Sequence, residues 1–270
     1  MLALPQAAFF LLLEAAVGGS ITLFWVHLRG EVTRGFTLFT GACLLVCGAL
    51  AIWLRSSFPP QTQTATANLW FQAERVTSIA FVLALAAYLI ALRSDRWLEV
   101  RRRVGLVVPI LGLASLWSAS LVVASNQLGG LGVPLAVLAG GLALGSALTG
   151  LSLGHWYLVS PTLSVQPLIR VTLLCLATVG VQAVLVPILL WGPGADPSQV
   201  QTLLTEDGLF LGVRVVFGLA VPFIAGVMTW RTARIRSLDS ATGLLYIVAA
   251  LILAGEIAAR TLFFMTGVAT

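Results

Sequence analysis

Eight apolar runs of about twenty residues each constrain this chain more than anything else in it. About 20 helical residues cross a bilayer's hydrocarbon core. Runs of that length lie at about 5–27, 36–55, 70–92, 104–124, 132–157, 166–192, 208–230 and 241–265. Inside hydrocarbon every backbone N–H and C=O must be satisfied within the protein, which leaves helices or closed barrels. Runs this long read as helices. The expected fold is therefore all-α: a polytopic membrane helical bundle of eight transmembrane helices, one transmembrane domain over residues 1–270. Composition agrees, with 59% of residues hydrophobic and 9% charged, where a soluble domain carries about 25% charged. The longest polar stretches, about twenty residues, are too short to build a soluble domain. Any cofactor that requires one must belong to a partner. The first run lacks a charged leader and a small-residue cleavage site, so it is expected to be a retained helix.

Orientation is read from arginine, since all fifteen basic residues are Arg and cytoplasmic loops are enriched in basic residues. Arg29 and Arg34 lie between the first two runs. Arg93, Arg96, Arg101, Arg102 and Arg103 lie between the third and fourth, and Arg231, Arg234 and Arg236 between the last two. The alternate connections are poor in basic residues, and one carries the acidic pair Glu206–Asp207. Both termini are thus expected outside. The positive charge is a membrane pattern and implies no nucleic-acid partner.

Ionisable side chains inside the apolar runs are the functional candidates, because such residues pair, line a cavity or carry function. Glu14, Glu74, Arg75, Arg214, Glu256 and Arg260 all fall in the outer third of the membrane by residue count, at about 1.5 Å per residue. Glu256 and Arg260 are spaced i,i+4 in a favourable ion-pair order. Two readings stand: a network that only neutralises itself, or a proton-handling pocket of Glu14, Glu74, Arg214, Glu256 and Arg260.

His27 and His155 sit near the inner ends of their helices beside Trp25, Trp156 and Tyr157. They read either as interfacial side chains of an aromatic belt or as the two axial ligands of one haem b. The fifth run, GGLALGSALTGLSLGHWYL, is rich in small residues. That suits either close helix packing or room for a flat cofactor. Cys43 and Cys47, at i,i+4, read as packing residues. Arg170 is expected to reach the inner interface, after a loop holding Pro161 and Pro167.

Three segments carry a family resemblance. They are PQAAFFLLLEAAVGGSITLFWV, GLFLGVRVVFG and LILAGEIAARTLFFMTG, the last with a Gly-Glu pair, an Arg four residues after the Glu, and then aromatics. Together they resemble the membrane anchor subunits of molybdopterin oxidoreductases, of the dimethyl-sulfoxide-reductase anchor type and more distantly the polysulfide-reductase/NrfD type. The resemblance implies a multi-pass protein of the bacterial inner membrane with a quinone or quinol (menaquinone or ubiquinone) site near the outer face. It implies iron–sulfur and molybdopterin-type partner subunits on that face, and Glu74 and Arg214 as residues carried over. Where such anchors usually have a His between the second and third helices, this chain reads LRSSFPPQTQT. The rival expectations are a haem b membrane cytochrome, a small-solute or ion transporter, and a purely structural subunit.

Overall fold

The computed structural model describes residues 3–61, 64–93, 98–160 and 162–270, with backbone alone for 98–102. Arg96 and Pro161, and the side chains of Arg101 and Arg102, lie outside the described residues. Among the described residues the chain is all-helical, and eight helices are long and apolar enough to cross a membrane. In chain order these are α1 (Ala3–Leu28), α2 (Arg34–Ser57), α3 (Ala65–Ala91), α4 (Leu98–Val122), α5 (Gly132–Val159), α6 (Gln166–Trp191), a composite seventh span, and α10 (Leu238–Thr266). The composite span runs α8 (Gly208–Gly212), a π-helical stretch Val213–Ala220, and α9 (Val221–Arg234).

Two departures from expectation matter. The connection after α6, expected as a loop, contains a short helix α7 (Pro197–Thr205). Asp196 caps it, accepting from Ser198 N at 2.9 Å, and Pro197 opens it, a position that suits proline's fixed φ. The third helix begins at Ala65, five residues before the expected start at 70.

α1 and α5 form the centre. About 78% of the apolar window of α1 and 67% of that of α5 is buried, against 33% for α2, α3 and the seventh span. That explains why the first and fifth runs are apolar all round: they face protein on every side. α2, α3 and α4 pack on one flank, and α6, α9 and α10 on the other. The glycines of α5 resolve into close packing against α1. A Cβ on Gly18 would stand 1.7 Å from the Gly141 carbonyl oxygen, and one on Gly145 would stand 2.0 Å from the Gly18 carbonyl carbon. With backbone against backbone at this crossing, no flat cofactor fits there.

The connections sort into two ends. At one, Phe10 of α1 meets Phe264 of α10 with ring centroids 5.9 Å apart. Gln6 donates to the Phe58 carbonyl at 2.9 Å, and Leu128 N donates to the Pro193 carbonyl at 2.8 Å. The start of α1 at Ala3 and the end of α10 both lie at this end, here called the terminal end. At the other, Arg236 donates to the Leu163 carbonyl at 3.1 Å. Arg170 pairs with Glu31, at 2.5 Å from Oε2. Arg170 therefore holds α6 to the first connection, where it was expected only to reach the interface. Most arginines outside the core gather at this arginine-rich end.

Two glycine substitutions separate packing from propensity. Gly18→Ala forces the α1–α5 crossing apart and is expected to destabilise by about 1–3 kcal/mol. Gly243→Ala meets open space and should be stabilising by about 0.5–1 kcal/mol. Thermal unfolding of both variants in detergent, read by circular dichroism, checks the opposite signs.

Candidate functional site

The buried ionisable residues form two separate groups. The first is a quartet between α1, the seventh span and α10. Glu256 Oε1 accepts from Arg214 Nη1 at 3.0 Å, and Glu256 Oε2 accepts from Arg260 Nη2 at 3.2 Å. Arg260 Nε lies 2.9 Å from Glu14 Oε1, but its N–H is not aimed at that oxygen, so this contact is ionic without being a hydrogen bond. Further donors find partners around the rim. Arg214 donates to Gln182 of α6 and, at 3.3 Å, to the main-chain oxygen of Thr270. Arg260 Nη2 donates to the Ala136 carbonyl at 3.1 Å. All four charged residues are at most 1% exposed, and two carboxylates balance two guanidiniums.

Glycines make the quartet possible. A Cβ on Gly140 would stand 2.5 Å from Glu256 Oε2, so α5 yields space for the carboxylate. A Cβ on Gly255 would stand 2.2 Å from the Gly218 Cα. This brings the π-helical stretch against α10 one residue before Glu256, with Arg214 one turn before Gly218. π-Helical turns are rare and often accompany functional or strained positions. Here the turn aims an arginine at the core.

The second group lies between α1, α2 and α3 at the terminal end. Arg55 Nε donates to Glu74 Oε1 at 2.7 Å, and Arg55 Nη2 donates to Glu74 Oε2, a two-point pair. Arg55 Nη1 donates to Gln6, whose own amide holds the Phe58 carbonyl. The guanidinium lies over the Phe9 ring at 4.3 Å. Arg55 is 4% and Glu74 1% exposed. A two-point Arg–carboxylate pair fixes geometry as well as charge. Beside it opens a cavity of about 310 Å³, lined by Phe9, Ile52, Phe71, Arg75, Ser78 and Ile79 together with the pair itself.

The expected single pocket is thus divided. Glu14, Arg214, Glu256 and Arg260 come together as predicted from sequence. Glu74 belongs with Arg55 and Gln6 instead. Arg55 and Gln182 went unrecognised. Arg55 is the last residue of the second apolar run, 36–55, and sits in the last turn of α2, where a basic residue at a helix end draws no notice. The available signal was its sign, since a basic residue at the end otherwise poor in them needs a reason.

His27 and His155 are not brought together. His27 Nδ1 lies 3.3 Å from Thr37 Oγ1, and its ring stands edge-on to Tyr88 at 6.0 Å. His155 is exposed and shares a recess with Phe39 and Tyr246. Thr37 and Phe39 are two residues apart on α2, about 200° around the helix, so α2 stands between the imidazoles. They do not fit as the two axial ligands of one haem. Among the described residues no three of His, Cys, Asp and Glu converge as a metal site requires.

A larger cavity, about 660 Å³, lies between α6 and the seventh span. Its walls, from Val179 and Pro187 to Leu219 and Phe223, are mostly apolar. Trp191, at its rim, is the one lining side chain with a polar atom, and no charged or carboxylate group lines it.

No protein-family model matches the chain, and no curated protein matches it.

The quartet makes a clear energetic prediction. Removing one member leaves an uncompensated buried charge, at about 3–5 kcal/mol. Arg214→Ala and Glu256→Ala should each unfold the chain at markedly lower temperature. The double variant should lose less than the sum, with a coupling of about 1–3 kcal/mol. A double-mutant cycle on thermal stability measures it.

Proposed function

We propose that this chain is the membrane anchor and quinone-reactive subunit of a multisubunit oxidoreductase of the bacterial inner membrane. The observation that carries this reading is the cavity between α1, α2 and α3. It joins aromatic and aliphatic walls to a buried, rigidly held Arg55–Glu74 pair. Small-molecule sites combine mostly apolar lining with a few well-placed polar groups in this way. The volume suits a substituted quinone ring, and the cavity opens between helices that face hydrocarbon, the side from which an apolar-tailed molecule arrives.

A quinol bound here would supply two electrons and two protons. The chain's own residues do the rest. Phe9 and Phe71 flank the ring. Arg55 spends three of its five N–H groups on Glu74 and Gln6, leaving two to orient an oxygen. Each Glu74 oxygen accepts one hydrogen bond from Arg55 and keeps a further lone pair for an incoming O–H, so Glu74 would take the two protons in turn, releasing the first to water at the terminal end before accepting the second. Gln6 holds Arg55 in place and ties α1 to the end of α2. In this reading the terminal end faces outside, where iron–sulfur and molybdopterin-type partner subunits dock and take the electrons. Glu14, Arg214, Glu256 and Arg260 hold α1, α6, the seventh span and α10 as one block and so keep the cavity's α1 wall fixed.

Two variants test this: the first leaves the ion pair intact, and the second neutralises it and is read beside a melting curve. Ile79→Trp fills the cavity from its half-exposed wall, and quinone co-purifying with the protein should fall to background while the melting temperature holds. Glu74→Gln keeps a hydrogen-bonding partner for Arg55 but removes the base. In the intact complex, quinol oxidation should slow by about 100-fold or more with quinone content retained. Unchanged quinone content in Ile79→Trp would refute the location.

A further inference from the structure

By sequence, the basic residues toward the terminal end are few: Arg55, Arg75, Arg214 and Arg260. Three of these are buried and paired with carboxylates. Arg75 alone is exposed. Its neighbour Glu74 is taken up at both oxygens by Arg55. The guanidinium of Arg75 has the Phe71 ring at 6.0 Å, and among the described residues no carboxylate or carbonyl accepts from it.

The Arg55–Glu74 pair fixes the level of Arg75. It matches the third residue from the end of α2 to the tenth residue of α3. Ala65–Ala73 of α3 therefore extends about 13 Å past this level, while α2 has only Ser56 and Ser57 beyond it. Trp53 and Trp70 flank the same level, as side chains of an interfacial aromatic belt do. Below it, apolar side chains continue at helical spacing on both walls: Val76, Ile79 and Leu83 on α3, and Val46, Leu50 and Trp53 on α2, all at least 45% exposed. An exposed cation that forms no salt bridge among the described residues thus stands directly above a groove of exposed apolar side chains.

We propose that Arg75 binds the phosphate of an anionic phospholipid, whose acyl chain lies along the α2–α3 groove at the mouth of the cavity. A protein carboxylate would satisfy the charge equally well. The exposed apolar stripes beneath it favour a ligand that brings its own tail. The site is distinct from the Arg55–Glu74 pair but shares Arg75 and Ile79 with the cavity wall, so lipid and quinone are read separately in the same samples.

Native mass spectrometry of the full chain tests it, with the protein released from nanodiscs of phosphatidylglycerol and phosphatidylcholine in equal parts. The chain should retain phosphatidylglycerol over phosphatidylcholine by about fivefold, the scale of one basic residue at a membrane surface. Arg75→Gln should erase the preference, and Arg75→Lys should keep most of it. Millimolar inorganic phosphate should leave it intact, because the tail contributes to binding. Equal preference in Arg75→Gln, no preference in the parent chain, or displacement by inorganic phosphate would each overturn the proposal. Arg75 makes one aromatic contact and no ion pair, so the variant is expected to fold, and a melting curve confirms that. Quinone extracted from the same samples reports on the cavity separately, so either reading can fail alone.

Discussion

Charge neutralisation in a medium without water governs this structure. An ionised side chain in the protein interior costs several kcal/mol after relaxation, and the described core holds six ionisable groups in two sets. Each set balances or nearly balances its charges by ion contact, and each recruits neutral polar groups for the donors left over. Gln182, the Thr270 main-chain oxygen and the Ala136 carbonyl serve the quartet. Gln6 serves the Arg55–Glu74 pair. The helix packing follows from these demands. Gly140 is open where Glu256 needs room, Gly218 and Gly255 touch where Arg214 must reach α10, and Gly18 meets Gly141 and Gly145 where α1 must come near enough to bring Glu14 to Arg260.

This division of labour shapes the functional reading. The quartet is enclosed, with two hydrogen bonds among its members and three to Gln182, Thr270 and Ala136, and neither of the two cavities borders it. The pair at the terminal end is equally buried but borders a cavity open toward hydrocarbon. A polar group that can still donate or accept, beside aromatic walls, is what an apolar-tailed redox ligand needs. The larger cavity by α6 has the apolar walls without a charged group. Under the proposed reading, chemistry rather than volume chooses between the two cavities, and it favours the one beside Arg55 and Glu74.

Much of the fold was legible because membrane spans need no periodicity to be recognised. Length and hydropathy alone set all eight, and the small residues of α5 correctly announced a close crossing. The clustering of Glu14, Arg214, Glu256 and Arg260 was also legible, since four charges at one depth on three spans must find one another. What stayed hidden was partner choice across helices. Nothing local to Glu74 says that Arg55 rather than Arg214 will neutralise it; that depends on which helices are neighbours. The π-helical stretch carries no mark in VRVVFGLA, and only the Gly218–Gly255 contact explains it. α7 was readable in principle from the Asp-Pro-Ser start, but it was lost in a polar stretch that passed for a loop.

The most direct test of the account is photo-crosslinking. An azido-quinone would be irradiated with the intact protein in nanodiscs and the labelled peptides mapped. The account predicts label on the walls of the α1–α3 cavity, at Phe9, Ile52 or the Phe71–Ile79 segment, lost in the presence of excess unlabelled quinone. Label confined to Val179–Trp191 and Leu211–Ile224, or label that excess quinone does not displace, would contradict it.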